Sequence, residues 1–379
     1  MPQSIALWDL GLAFGVSFLI CGFLILSRSW HLKLTMRRDD GRAVQAAHSQ
    51  PTPRVGGVGI VAACIVSLIG LGVERTDAVT PLFVLSLMPV FLAGLLEDLG
   101  FRVRPRERLF AAALSSAVAV AVLQMWVPRA DVPGIDWLLN FTPLAVTFTL
   151  FATSGICNAF NLIDGLNGLA SATAIIVASC LAAVAFQAGD ISLAETAMVL
   201  SAAFAGFLVL NFPLGKIFLG DAGAYTIGHL LSWLAVIIMV RVPDVTPWAI
   251  ILIFFWPVAD TLLAIYRRRV GGRPAGAPDR LHFHQLVMRG LEITLLGRRR
   301  RQLANPLATL IILPLAIMPA LAGVALWDKP FAAFLALSAS AAAFSLTYAL
   351  ALRVSCRRGR NLLAAFGSYE PSYSSGHRA

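Results

Sequence analysis

Eleven long apolar stretches dominate this sequence, at approximately 5–27, 56–73, 80–96, 109–127, 137–157, 168–186, 193–213, 222–241, 247–266, 307–326 and 331–352. About 20 such residues suffice for a helix to cross a bilayer. Inside hydrocarbon every backbone amide must be satisfied within the segment or its closed barrel. Barrel strands alternate in short runs, which these stretches do not, so they predict an all-α polytopic membrane protein with about eleven transmembrane helices. Composition agrees: of 379 residues 58% are hydrophobic and only 13% charged, too little charge to clothe a water-soluble surface. The first stretch has no basic region ahead of it and no small-residue cleavage site after it, so it is expected to stay as a span. Five cysteines at no paired spacing indicate neither a disulfide framework nor a zinc site.

The net charge of +10 would suggest a nucleic-acid partner until it is mapped. Of the 30 Lys and Arg, 26 follow odd-numbered spans, and the other loops hold only Arg75, Arg129, Arg241 and Lys329. The positive-inside rule then puts the N-terminus outside and the C-terminus in the cytoplasm. The basic charge thus reads as topology, aided by anionic membrane lipids, and no nucleic-acid partner is expected. One transmembrane domain is expected over 1–352, followed by a basic cytoplasmic tail, 353–379.

The outer loops are short and plain, whereas polar motifs gather on the inner ones, at 28–55, 97–108, 158–168, 214–223 and 267–305. The first carries Pro53-Arg54-Val55-Gly56-Gly57. That is either a turn into span two or a place where backbone comes close to a ligand while Arg54 meets an anion. Span three ends at Glu97-Asp98, followed by Arg102, Arg104, Arg106 and Arg108. Paired acids at a membrane edge are costly if idle. They either pair with these arginines or serve a magnesium-bound diphosphate, since Mg²⁺ is usually held by one or two carboxylates plus substrate phosphates.

After span five, Asn158, Asn161, Asp164 and Asn167 recur every third residue, and Gly165 and Gly168 break the helix. Unwound backbone at membrane depth is tolerated where it lines a cavity. Phe218-Leu219-Gly220-Asp221-Ala222-Gly223 opens span eight. There Asp221 is either an N-cap or a carboxylate gathering metal and phosphate at a helix N-terminus. In span nine, Asp260 is expected to pair with Arg267, two turns on. The last inner loop holds Asp279-Arg280-Leu281-His282-Phe283-His284-Gln285, a poor zinc site but a good set of donors to phosphate or sugar.

Taken in order over roughly residues 30–290, these motifs resemble the polyprenyl-phosphate N-acetylhexosamine-1-phosphate transferases of glycosyltransferase family 4. The resemblance is closer to the bacterial WecA-like branch than to the related MraY branch. It is carried by Pro53 to Gly57, Glu97-Asp98, Asn158 to Ala170, Phe218 to Gly223 and Asp279 to His284. This chain has Glu97 where the family usually has Asp, Asn167 where it often has Asp, and Gln285 where a second histidine is common.

The resemblance implies an enzyme of the bacterial cytoplasmic membrane, its active site facing the cytoplasm. That enzyme would move N-acetylhexosamine-1-phosphate from a UDP-sugar to undecaprenyl or another polyprenyl phosphate, releasing UMP and initiating a cell-surface polysaccharide. Mg²⁺, or Mn²⁺ in its place, is the implied cofactor, held by Asp221 and Asn161. Glu97, Asp98, Asp164 and Asp221 are the implied catalytic residues. Arg54, Gly57, Arg108, Asn158, Asn167, Arg280, His282 and His284 are the implied substrate-binding set. A homodimer is left open. A transporter would be expected to show repeated halves and a midplane site, and neither is visible; a magnesium-dependent lipid phosphatase would release phosphate in place of UMP.

Overall fold

A computed structural model describes residues 7–30, 52–67, 79–272, 281–297 and 300–366. The described residues form helices and connecting turns, with no strand among them: α1 (Leu7–Leu26), α2 (Gly56–Ile65), α3 (Val79–Ser86), α4 (Met88–Asp98), α5 (Pro105–Leu123), α6 (Pro133–Leu139), α7 (Thr142–Ile163), α8 (Leu169–Gln187), α9 (Ile191–Asn211), α10 (Gly220–Arg241), α11 (Pro247–Ile253), α12 (Phe255–Val270), α13 (Phe283–Leu291), α14 (Arg301–Ala325) and α15 (Pro330–Phe366). A π-helical turn, Glu292–Leu296, follows α13. Seven of these helices are long and apolar enough to cross a membrane, or eight if α11 and α12 form one span bent by 85°. The chain is a helical, polytopic membrane protein.

The differences from the eleven stretches have local causes. Span three is two helices, because Pro89 cannot donate its amide and the helix restarts at Met88. Span five begins only at Thr142-Pro143, and the short α6 occupies the stretch before it. Span nine breaks at Phe254, ahead of Pro257. Span two is described only as far as residue 67.

At the centre stands α10, buried from Gly220 to Met239, with α2, α4, α7 and α8 packed around it. A helix apolar on every side belongs inside a bundle. By contrast α1 and α15 turn large apolar side chains outward, among them Phe23, Leu26, Phe331 and Leu346, as helices facing lipid do. The outer loops, plain in sequence, are tied to one another: Arg241 pairs with Asp190 at 3.5 Å and Thr246 N–H donates to Trp327 O at 2.8 Å. Arg129 donates to Asp131 and to the carbonyls of Pro243 and Val245, while the Thr246 hydroxyl donates to Asp131.

Beside this frame an apolar groove of about 340 Å³ runs along α7, α10 and the bent α11–α12 pair, lined by Phe151, Ile156, Val236, Ile250, Phe254 and Ile265. At its other end the groove reaches Ala159 and Thr261, neighbours in sequence of Asn158 and Asp260.

Candidate active site

The motifs of four separate loops meet at the N-terminus of α10. The first two are joined by backbone: Phe218 N–H donates to Pro53 O at 2.8 Å, Gly56 N–H to Phe218 O at 3.0 Å and Gly57 N–H to Leu219 O at 3.0 Å. Gly57 is required by the closeness of this approach, since a Cβ there would stand 2.3 Å from the Gly223 nitrogen. The turn into α10 needs Gly220, whose φ is +74° and whose missing Cβ would strike the Arg54 carbonyl and the Asp98 carboxylate.

Asp98 closes the third link. Its Oδ1 accepts from Asp221 N–H at 2.9 Å and its Oδ2 from Ala222 N–H at 2.8 Å. Two orphan amides of the α10 N-terminus are thereby satisfied by a carboxylate from another helix. Adjacent in sequence, Glu97 and Asp98 face different tasks, because Glu97 Oε2 accepts Val103 N–H at 2.8 Å and closes the turn ahead of α5.

Asp221 faces outward from this cap. Its Oδ1 accepts from Asn161 Nδ2 at 3.2 Å, and its Oδ2 is ion-paired with Arg108. Arg108 also lies 6.0 Å from the centre of the Tyr225 ring, and the Tyr225 hydroxyl donates to Asn158 Oδ1 at 3.5 Å. Tyr225 is absent from the sequence expectations, although it stands four residues after Asp221 and so on the same helix face. Arg54 acts electrostatically on both Asp98 and Asp164. The packed surroundings of the half-buried Asp164 push its carboxyl up to about 7, against the pull of Arg54.

The histidine segment arrives from the far side. A Cβ on Gly165 would lie 2.4 Å from His284 Nε2, so the Asp164 turn and His284 are in contact. Burial draws the His284 imidazole down to about 4, with Asp260 pulling the other way, so His284 is neutral near pH 7. Asp260 is engaged differently from the expected pairing with Arg267. Its Oδ2 accepts from His282 Nδ1 at 2.9 Å and its Oδ1 from Phe283 N–H at 3.0 Å. A buried acid inside an apolar span was itself the available signal.

Asn167 is held by its neighbours. Only 3% exposed, it donates through Nδ2 to Pro213 O, its N–H donates to Asn305 and its carbonyl accepts from Thr309. The structure makes it part of the scaffold under the loop, and Asn211 completes that scaffold by accepting Gly168 N–H. Arg280 and Asp279 lie outside the described residues. Among the described residues no group of three or more His, Cys, Asp or Glu forms a self-sufficient metal cage.

Residues 80–239 match glycosyl transferase family 4. Over 244 residues the chain is 30% identical to the probable undecaprenyl-phosphate N-acetylglucosaminyl 1-phosphate transferase of Bacillus subtilis, a match covering 64% of this chain and 67% of that one. It is 28% identical over 278 residues to the undecaprenyl-phosphate alpha-N-acetylglucosaminyl 1-phosphate transferase of Yersinia pestis, covering 70% and 73% respectively. It is 30% identical over 277 residues to the decaprenyl-phosphate N-acetylglucosaminephosphotransferase of Mycobacterium tuberculosis, covering 64% and 66%. With Arg54, Asp98, Asn161, Asp164 and Asp221 gathered at one helix N-terminus, and with these relatives, the chain belongs to glycosyl transferase family 4, in its WecA-like bacterial branch.

Proposed function

We propose that this chain transfers N-acetylhexosamine-1-phosphate from a UDP-sugar to a polyprenyl phosphate at the cytoplasmic face of a bacterial inner membrane, giving polyprenyl-diphospho-sugar and UMP. The observation that carries the reading is a charged cluster at the C-terminal end of α7, the helix along which an apolar groove also runs. The charged site comprises Asp221, Asn161, Arg108 and Arg54, and the groove reaches Ala159, between Asn158 and Asn161. A polyprenyl phosphate has that same division, a dianionic head on a long apolar chain.

In the reaction a lipid phosphate oxygen attacks the sugar-side phosphorus of the diphosphate. The bond from that phosphorus to the bridging oxygen breaks, and the electron pair leaves with UMP. A phosphomonoester has its second pKa near ~6, so the nucleophile is already largely a dianion. Positioning and charge neutralisation therefore outweigh the need for a strong base. In this arrangement Asp98 fixes the α10 N-terminus by accepting its first amides, which sets where the Asp221 side chain stands. Arg54 and Arg108 meet phosphate oxygens, and Asp164 and the histidines line the nucleotide-sugar side.

Mg²⁺ fits the donor set. Asp221 has a buried Oδ2 with no hydrogen-bond partner, met by the Arg108 cation, and an Oδ1 beside the Asn161 amide. One carboxylate, one amide oxygen and substrate phosphates are the donors Mg²⁺ ordinarily takes from such a site. When bound, it would neutralise charge developing on the diphosphate. The same chemistry admits Mn²⁺.

The test uses purified protein in detergent with polyprenyl phosphate, Mg²⁺ and a panel of UDP-sugars, following UMP release and the mass of the lipid product. UMP together with a lipid-diphospho-sugar, both lost in Asp221→Asn, is the expected result. Inorganic phosphate as the product, or no turnover of any donor by folded protein, would overturn the reading.

A further inference from the structure

One fully buried acid, Asp260 on α12, has no part in the chemistry above. It lies just past the 85° break, and both its contacts reach across more than twenty residues of chain to the start of α13. An ionised carboxylate in apolar surroundings is costly unless it is answered by donors. Asp260 is answered by two, the ring Nδ1 of His282 at 2.9 Å and the Phe283 amide at 3.0 Å. The same Oδ2 stands 3.9 Å from His284 Nδ1, and the His282 and His284 rings lie nearly parallel with centres 5.5 Å apart.

Anchoring of the segment does not depend on Asp260 alone. Tyr348 donates to Leu281 O at 3.2 Å, and the Phe283 ring packs among Trp256, Phe344 and Tyr348. What Asp260 adds is specific to the His282 side chain. A carboxylate accepts only, so Nδ1 must carry its hydrogen, which fixes both tautomer and ring plane and leaves Nε2 as the atom available to a ligand. We propose that Asp260 is the positioning residue of the histidine pair, holding His282 with Nε2 presented to the diphosphate of the nucleotide sugar. This rests on the proposed transferase reading.

Asp260→Asn is nearly isosteric and separates the two contacts. Its amide oxygen can still accept the Phe283 N–H, but its NH₂ then faces His282 Nδ1, which must become an acceptor. Nitrogen-15 spectra of histidine-labelled protein, with His282 assigned by its loss in His282→Gln, are expected to change from the Nδ1–H to the Nε2–H pattern. This readout is independent of turnover. In the UMP-release assay Asp260→Asn and His282→Gln are each expected to lower kcat/KM about 10- to 100-fold. The double variant is expected to be no worse than the weaker single one, because residues acting through one another are not additive.

Tyr348→Phe, which removes the other tie on the segment, is expected to cost less than about threefold. Should Asp260→Asn fail to fold, Asp260→Glu, which keeps the charge, enters the same cycle and is expected to retain more activity than His282→Gln. Multiplying losses, an unchanged His282 spectrum, or a Tyr348→Phe loss equal to that of Asp260→Asn would overturn the assignment. A wild-type protein that turns over no donor overturns the transferase reading instead, and the nitrogen-15 comparison still decides the role of Asp260.

Discussion

Asp98 Oδ1 accepts the backbone N–H of Asp221 at 2.9 Å, so the acid at the end of α4 holds the main chain of the acid at the start of α10. The side chain of Asp221 is thereby free to face Asn161 and Arg108. Asp260 repeats the device at α13, where it accepts the Phe283 amide beside His282. In both places an aspartate from a neighbouring helix accepts an amide at the start of the helix it caps.

Replacing Asp98 by Asn puts an NH₂ where one of two buried amides needs an acceptor. Leaving such a donor unanswered costs about 1–3 kcal/mol. Asp98→Asn is expected to lower the melting temperature in detergent by several degrees and to lower turnover at least tenfold. Melting curves read beside the UMP assay check both; an unchanged melting temperature would show that the cap is dispensable.

Arg108 is ion-paired with Asp221 Oδ2, the oxygen that the proposed Mg²⁺ would also take. Arg108→Ala is therefore expected to melt lower than wild type without metal and to gain more from added Mg²⁺, because a ligand stabilises in proportion to its affinity for the folded state. In Asp221→Asn the Mg²⁺ shift is expected to vanish. Thermal melts with added Mg²⁺ and with excess chelator measure it. Equal Mg²⁺ shifts in all three proteins would refute the shared site.

Burial lowers the His284 imidazole to about 4 in the folded chain, against about 6.5 when unfolded. The unfolded state therefore binds the extra proton first as pH falls. The stability His284 contributes is complete above about pH 6.5 and is lost progressively down to about pH 4. By pH 5 the loss is on the order of 2 kcal/mol. Melting curves at pH 7.5 and pH 5 are expected to differ less in His284→Gln than in wild type. If acid destabilises both equally, the burial of His284 is not the source.

Nδ2 of Asn167 donates to the Pro213 carbonyl at 2.9 Å, and Asn167→Asp would remove that donor. A carboxylate would face that carbonyl with no hydrogen to give. The substitution is expected to destabilise by about 1–3 kcal/mol and to reduce rather than raise activity. Thermal melts and the UMP assay decide; a gain in turnover with unchanged melting temperature would place Asn167 among the reacting groups after all.

Helical class, membrane residence and the motif-bearing loops were legible in the sequence, because lipid leaves long apolar runs no other way to satisfy their amides. Arg54, Asp221 and Asn161 stood out in the sequence as candidates, since polar side chains beside glycine-broken helix ends are unusual in so apolar a chain. The tertiary structure alone decided which of two adjacent acids caps α10 and which closes a turn, that Asn167 belongs to the scaffold, and that Asp260 answers His282. It also decided that spans three and nine are broken. Spacing along a chain reports which side chains share one helix face. Hydrogen bonds between helices depend on which faces meet, and packing sets that.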